Sequence, residues 1–210
     1  MGLISLLFSN PAIFVILAII LLYSVILHEV AHGWVAHLFG DDTAILSGRL
    51  TLNPVSHLDP IGTLMLFLVG FGWARPVPVN YSSFSNTRFG LFCVALAGCL
   101  TNILIATTTL IILQFGVVNT NSLLFSILPI VIKINIILGA FNLIPIPPLD
   151  GSKILMSFLP YKAQESLGSI EPYGFFILVF LLFTGLLNPV IIFMQNLIYG
   201  LIGFLFSFFR

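Results

Sequence analysis

Charge is scarce in this sequence. Only 7% of its 210 residues are Asp, Glu, Lys or Arg, whereas 59% are hydrophobic and the mean hydropathy is +1.17. A soluble domain carries about 25% charged residues, so this chain cannot cover a surface that faces water. The composition therefore excludes an ordinary soluble protein and predicts an integral membrane protein whose surroundings are a lipid bilayer.

An excess of one charge, basic runs and a cysteine framework are also lacking. Seven basic and seven acidic side chains give a formal net charge of zero, which speaks against nucleic acid as a partner. The two cysteines, Cys93 and Cys99, lie in one predicted helix, and their spacing is a rise of about 9 Å, too long for a disulfide. No Lys or Arg precedes the first apolar run, so we interpret that run as a retained span rather than a cleaved signal peptide.

Apolar stretches divide the chain into candidate membrane spans. A spanning helix needs about 20 apolar residues. Stretches near this length cover residues 11–39, 89–115, 123–144, 173–187 and 190–209. The sequence therefore predicts an all-α polytopic membrane protein, folded as a single domain over residues 1–210, with about five or six membrane segments.

The segments between the spans predict smaller elements. Residues 61–71 are apolar but too short to span, which indicates a re-entrant or partly inserted helix. Residues 45–52 and 77–81 are predicted as short extended pieces that form a small β element. Prolines confine the second piece to a sheet edge or a loop. Residues 149–159 are predicted as a short helix after a proline-rich break.

The basic residues predict the orientation of the chain. If the first span runs from side A to side B, six of the seven basic residues fall on side B: Arg49, Arg75, Arg88, Lys153, Lys162 and Arg210. The exception is Lys133, which lies inside a span without an assigned acidic partner. The positive-inside rule makes side B the cytoplasm. We therefore expect a cell-membrane protein with its N-terminus outside.

The first span contains the metal-binding motif His28-Glu29-Val-Ala-His32. Histidines four apart share one face of a helix and can bind one zinc ion, while Glu29 can act as general base toward a water at the metal. Chance produces such a motif in roughly one chain of this composition in a thousand. Ionisable side chains inside a span are costly and usually functional. The alternative is a polar helix face against a water-filled cleft.

A catalytic zinc ion needs a third protein ligand and an open position. His37 lies on the wrong face of the helix and is better interpreted as a residue near the helix end. Asp150 follows a proline-rich stretch that cannot be regular helix, and irregular backbone at membrane depth occurs where protein or water surrounds it. Asp150 could equally cap the next helix, so the spacing leaves both roles open.

Two signatures together resemble the site-2 protease family of intramembrane zinc metalloproteases. They are His28-Glu-Val-Ala-His32 and Asn142-Leu-Ile-Pro-Ile-Pro-Pro-Leu-Asp150-Gly. Residues 48–54 and 57–62 also resemble the family's short form, without inserted peptide-binding or nucleotide-sensing domains. The resemblance implies that Asp150 is the third ligand of a single Zn²⁺ ion and that Asn142 contacts the scissile peptide or its oxyanion. It also implies a substrate, namely a transmembrane segment of another membrane protein.

Other polar residues stay open at this point. Residues 97–102 resemble the family's Gly-Pro-x-x-Asn with Cys99 in place of proline, which makes Asn102 a weaker site candidate. His57 and Asp59 could orient the ligands, although loop and cap roles beside Pro60 are favoured. Two other functions remain as alternatives: a membrane zinc hydrolase of a small or lipid substrate, and a non-enzymatic membrane scaffold.

Overall fold

The structure, a computed structural model, describes residues 7–69, 72–84 and 86–207. Its helices in chain order are α1 (Pro11–Leu38), α2 (Thr43–Leu46), α3 (Pro54–His57), α4 (Pro60–Val69), α5 (Thr87–Gln114), α6 (Leu123–Asn142), α7 (Asp150–Phe158), α8 (Tyr161–Phe183) and α9 (Asn188–Ser207). Five of them, α1, α5, α6, α8 and α9, are long and apolar enough to cross a membrane. The predicted all-α polytopic fold is confirmed.

Local capping signals explain where the spans begin and end. Asn10 caps α1 by accepting from Ile13 N, and Asn86 and Ser122 cap α5 and α6 in the same way. Gly40 follows α1 with a positive φ of 93°, a conformation that suits glycine. The bounds predicted for α1, α5 and α6 and the predicted start of α9 agree with the structure to within two residues. The predicted end of α9, Phe209, lies outside the described residues, as does Arg210.

The predicted start of α8 is wrong by twelve residues, because the helix begins at Tyr161 rather than at 173. Its first half carries the polar side chains of Lys162, Glu165 and Glu171, so hydropathy detects only its apolar second half. Pro172 is accommodated inside the helix. A helix does not have to end where its apolar surface ends, since water can solvate the polar part.

The predicted β element is almost absent. Residues 43–46 form the helical turn α2 instead of an extended piece, and residues 77–80 pair with no strand in the described part of the chain. An isolated antiparallel bridge joins Leu58 to Ala74. Strand pairing is weak here because Pro76 and Pro78 lack N–H groups. Other amides of this segment donate to carboxylate side chains instead.

The short helix α4 agrees with a partly inserted helix. Its ten residues rise about 15 Å, half the thickness of a hydrocarbon core. The predicted end of this segment, Phe71, lies outside the described residues. Cys93 and Cys99 are both free thiols, as their spacing predicted.

The spans differ in how deeply they are buried. Within the apolar 18-residue segment of each span, the buried share of residues is 44% in α5, 33% in α6 and 22% in α1, but 11% in both α8 and α9. Helix α5 packs against α1, α6 and α7, so it forms the centre of the bundle. Helix α9 joins the bundle by packing Ile198 and Ile202 against Ile132 and Ile136 of α6. The outer helices therefore present most of their surface to lipid, and the polar centre lies among α1, α5, α6 and α7.

Candidate metal centre

Three predicted ligands converge at one point. His28 and His32 lie one turn apart on α1, and Asp150 is the first residue of α7. The Oδ2 atom of Asp150 lies 2.9 Å from His28 Nε2 and 3.2 Å from His32 Nε2, and the two Nε2 atoms are 3.0 Å apart. Both histidines are buried, with 5% and 8% of their surface exposed. The cluster offers two nitrogens and one oxygen to a metal ion.

This donor set fits a catalytic zinc ion. Two ligands held 2.0–2.1 Å from a tetrahedral metal lie about 3.3 Å apart, and catalytic zinc keeps three protein ligands and one open position. The separations of 2.9–3.2 Å in the cluster are close to that value. A small outward movement of the side chains is enough to accept the ion.

The outer nitrogens of both histidines are already paired. His32 Nδ1 lies 2.6 Å from Val94 O, and His28 Nδ1 lies 2.6 Å from Asn102 Oδ1. A carbonyl oxygen can only accept, so each Nδ1 carries the proton and each Nε2 keeps a lone pair for a metal. Hydrogen bonds of this kind fix the orientation of metal-binding histidines.

Gly98 lets the backbone of α5 approach the cluster closely. A Cβ atom at this position would lie 2.5 Å from the Nε2 atoms of both His28 and His32. No side chain fits there while the ligands stay in place. The sulfur of the neighbouring Cys99 is 3.9 Å from Asp150 Oδ2, so the metal centre is enclosed by α5 on this side.

The break before α7 aims Asp150 at the histidines. The N-cap position of α7 is Leu149, and no side chain forms a capping hydrogen bond there. The carboxylate of Asp150 contacts the two histidines instead, which favours the ligand role over the capping role. Gly151 permits the close approach of the chain, since a Cβ there would lie 2.3 Å from Leu143 O.

Glu29 faces a loop rather than a helix of the bundle. Its Oε2 accepts a hydrogen bond from Val77 N at 2.9 Å. Val77 belongs to residues 74–80, which we call the proline loop. The guanidinium of Arg49 braces this loop by donating to Arg75 O at 2.8 Å and Pro76 O at 3.1 Å. The loop main chain therefore holds one oxygen of the Glu29 carboxylate.

A buried carboxylate holds the far end of the proline loop. Asp41 Oδ2 accepts from Asn80 N at 2.6 Å, and its Oδ1 accepts from the main chain and hydroxyl of Thr43. Burial opposes ionisation of Asp41, but these hydrogen bonds outweigh it, so its pKa lies below the ordinary value. The side chain is 1% exposed. It serves as an anionic anchor where the chain leaves α1.

Comparison with known proteins decides the family. Residues 117–185 match the sequence profile of peptidase family M50. The chain is also 40% identical over 177 residues to YwhC of Bacillus subtilis, a relative whose name assigns it to the zinc metalloproteases, and the match covers 81% of each chain. The chain belongs to the site-2 protease family, peptidase family M50.

A second relative and a solved structure agree with this assignment. Rip2 of Mycolicibacterium smegmatis, also named as a zinc metalloprotease, is 29% identical over 185 residues, which cover 86% of this chain and 71% of the relative. The site-2 protease from Methanocaldococcus jannaschii superposes with a TM-score of 0.51 at 25% identity, over 94% of this chain and 81% of that chain. The predicted enzyme class is confirmed: the protein is an integral membrane zinc metalloprotease, with Zn²⁺ as its metal.

The structure does not bring every predicted residue to the cluster. The amide of Asn142 donates to Leu138 O of its own helix at 3.1 Å. His57 is fully buried and bonded to Thr51 O, and Asp59 accepts from Gly62 N at the start of α4. These last two contacts agree with the loop and cap roles that the sequence favoured for His57 and Asp59.

Two other polar residues also lie away from the metal ligands. His37 pairs with Asp42 on the exposed end of α1, as expected of a residue near a helix end. Lys133 lies in a groove beside Gln195 and Tyr199, between α6 and α9.

Sequence reasoning missed several residues that surround the metal centre. Asn102 was a weak candidate, yet it contacts His28 directly. Gly98, Val77 and Arg49 carried no recognised role. Asn135 is an amide inside an apolar span. Burying an amide without partners is costly, so its presence there was the signal that could have indicated a role.

Proposed function

We propose that this metalloprotease hydrolyses a peptide bond in a transmembrane segment of another membrane protein. The observation that carries the proposal is the depth of the cluster. His28 and His32 lie ten and six residues before the end of α1 at Leu38, which is about 15 and 9 Å along the helix. A substrate that reaches this depth in a span is embedded in the same bilayer.

The residues around the metal centre have complementary roles in this reaction. His28, His32 and Asp150 would hold one Zn²⁺ ion, which, when bound, lowers the pKa of a water molecule and polarises the peptide carbonyl. Val77 N–H occupies Oε2 of Glu29, so Oε1 takes the proton of the attacking water. Glu29 then passes that proton to the leaving nitrogen.

Asn142 is proposed to support the developing negative charge on the carbonyl oxygen. One N–H of its side-chain amide donates to Leu138 O. An amide carries two N–H groups, so the second can donate to the oxyanion. This role requires the substrate carbonyl to lie near the end of α6.

The orientation in the cell membrane is part of the proposal. Five of the basic residues, Arg49, Arg75, Arg88, Lys153 and Lys162, lie on the loops and helix ends that share one side with the metal centre. The positive-inside rule then places the centre toward the cytoplasm and the N-terminus outside. In intact cells, a membrane-impermeant thiol reagent should label Asn119→Cys but not Ser166→Cys. Both positions are exposed, and the reverse pattern would invert the topology.

Glu29→Gln tests the proposed chemistry. Gln keeps the size of Glu but cannot accept a proton at neutral pH, and general bases contribute about 10²–10⁴ in rate. Cleavage of co-expressed, tagged single-span membrane proteins should fall below detection, while zinc content measured by elemental analysis stays near wild type. Glu165→Gln is the matched control, because Glu165 is exposed on α8, and it should cleave normally.

The outcomes separate the alternatives. Normal cleavage by Glu29→Gln would remove Glu29 from the chemistry, and loss of zinc from a folded Glu29→Gln protein would make it a ligand. A wild-type enzyme that releases products from lipids, and leaves every membrane-protein segment intact, would support a zinc hydrolase of lipid substrates instead.

A further inference from the structure

We infer that Asn135 is a positioning residue of the metal centre that acts through Asn102. The inference rests on the proposed zinc site, because it concerns which nitrogen of His28 faces the metal. Asn135 lies on α6 and Asn102 on α5, and both side chains are 0% exposed. A buried amide is costly unless its N–H and C=O groups are paired, so its partners show what it does.

A chain of hydrogen bonds joins the two amides to His28. Asn135 Nδ2 donates to Val131 O and to Ser24 Oγ, each at 2.9 Å. Asn135 Oδ1 accepts from Asn102 Nδ2 at 2.9 Å, and Asn102 Oδ1 lies 2.6 Å from His28 Nδ1. The chain connects α1, α5 and α6, the three most buried spans.

The far end of the chain sets its direction. Val131 O is a main-chain carbonyl that can only accept, so the Asn135 group that faces it must be the NH₂. Asn135 Oδ1 then faces the NH₂ of Asn102, which leaves Asn102 Oδ1 toward His28. A direct contact from Asn102 Nδ2 to Ser24 O favours the same orientation, but at 3.4 Å it is the longer bond.

This direction selects one tautomer of His28. With an oxygen beside it, Nδ1 carries the proton and Nε2 keeps the lone pair that binds zinc. A reversed Asn102 would place its NH₂ beside Nδ1 and favour a proton on Nε2, which blocks metal binding. His32 needs no such help, because its partner Val94 O is main chain and cannot reverse. Asn135 therefore acts on the histidine whose partner is a side-chain amide, by donating no proton to Asn102 and accepting its shorter N–H hydrogen bond.

The test compares Asn135→Leu with Asn135→Asp in the purified full-length protein. Leu removes both hydrogen-bonding groups, whereas a buried, protonated Asp keeps an accepting oxygen for Asn102 and an O–H donor. Zinc affinity, measured by chelator competition, should fall about 10–100-fold in Asn135→Leu and recover in Asn135→Asp. The visible absorption of bound Co²⁺, which reports ligand geometry, should change in the first variant and return in the second.

Thr109→Val is the matched control. Thr109 of α5 is a buried polar residue, as Asn135 is, but its hydroxyl donates to Ile105 O of its own helix. This variant should keep the zinc affinity and the Co²⁺ spectrum of the wild type. If Asn135→Leu does not fold, the smaller Asn135→Val replaces it.

Each result decides the proposal. Wild-type zinc affinity and spectrum in Asn135→Leu would overturn the positioning role, and so would an Asn135→Asp protein as defective as Asn135→Leu. An equal loss of zinc in Thr109→Val would mean that the bundle needs buried hydrogen bonds in general, which also overturns it. A wild-type protein that binds no zinc would instead refute the metal site on which the inference rests.

Discussion

The helix bundle and the proline loop hold the side chains around the metal centre in different ways. On the bundle side, α5 and α6 hold the histidines through buried groups that include Asn102, Asn135 and Val94 O. On the loop side, the proline loop holds Glu29 through a main-chain N–H, and a half-buried Arg49 braces that loop.

The difference assigns separate tasks to the two sides. Hydrogen bonds in the low-dielectric bundle are strong when made and costly when unmade, so they suit a rigid metal site. A loop outside the regular helices moves more easily than a packed bundle, so it suits the group that is proposed to move a proton. We expect bundle variants to change zinc binding and loop variants to change turnover with zinc retained.

The largest effect should come from the ligands themselves. Asp150→Ala removes one of the three proposed ligands and should lose most of the zinc, as should His32→Ala. Elemental analysis of the purified proteins measures this loss, with Asp42→Ala, an exposed carboxylate, as the control. Full zinc occupancy in Asp150→Ala would refute the assignment of Asp150 as a ligand.

Gly98→Ala should act almost as strongly from the bundle side. Its methyl group would lie 2.5 Å from both Nε2 atoms, so the ligands must move and zinc content should drop sharply. Gly203→Ala makes the same change on α9 where nothing lies within 4 Å of the added atom, and it should be neutral. Normal zinc and normal turnover in Gly98→Ala would show that the cluster tolerates a wider arrangement.

Asn142→Leu should lower turnover while zinc is retained. The loss of an oxyanion donor is worth about 10²–10³ in rate. Single-turnover cleavage of a verified substrate, together with zinc analysis, measures both quantities. Unchanged turnover would reduce Asn142 to a residue that caps its own helix.

Arg49→Met should reduce turnover about tenfold without loss of zinc, because the proline loop loses two charge-assisted hydrogen bonds. Arg49→Lys should recover only part of the rate, since an ammonium is a poorer match to two carbonyls than a guanidinium. Arg75→Met, at an exposed position of the same loop, is the control. Zinc loss in Arg49→Met would contradict the expectation that loop variants change turnover while zinc is retained.

The smallest effect should come from Asp41, the anchor of the proline loop. Asp41→Asn should destabilise the protein by about 1–3 kcal/mol at neutral pH, because it loses charged acceptors. The folded-state pKa of Asp41 is lowered, so its contribution is full above the unfolded-state pKa, about 3.9, and is lost as pH falls through the folded value.

Melting curves in detergent from pH 7 down to the acid range measure this dependence. The gap in melting temperature between wild type and Asp41→Asn should be constant near neutral pH and should close in acid. Asp42→Asn, which is exposed, should show a smaller gap. A gap that widens as pH falls would mean that folding raises the pKa of Asp41 instead of lowering it.

Much of the fold follows from runs of neighbouring residues. The bounds of three spans and the start of a fourth agree with the sequence to within two residues, because apolar length and caps such as Asn86 are local signals. The start of α8 could not be placed by hydropathy, since a polar half-helix resembles a loop on that scale. The prediction of an extended piece that starts at residue 45 was also wrong, because tertiary contacts override weak local preferences.

The sequence by itself determined the helical pairing of His28 with His32, the neighbouring carboxylate of Glu29 and the break before Asp150. Those features depend on the helical period and on proline, which act between close neighbours. Only the tertiary structure decided the partners of these groups. The contacts from Glu29 to Val77, from His28 to Asn102 and from His28 to Asp150 join residues 48, 74 and 122 positions apart. No local pattern encodes which atoms meet at such distances, because helix packing selects them.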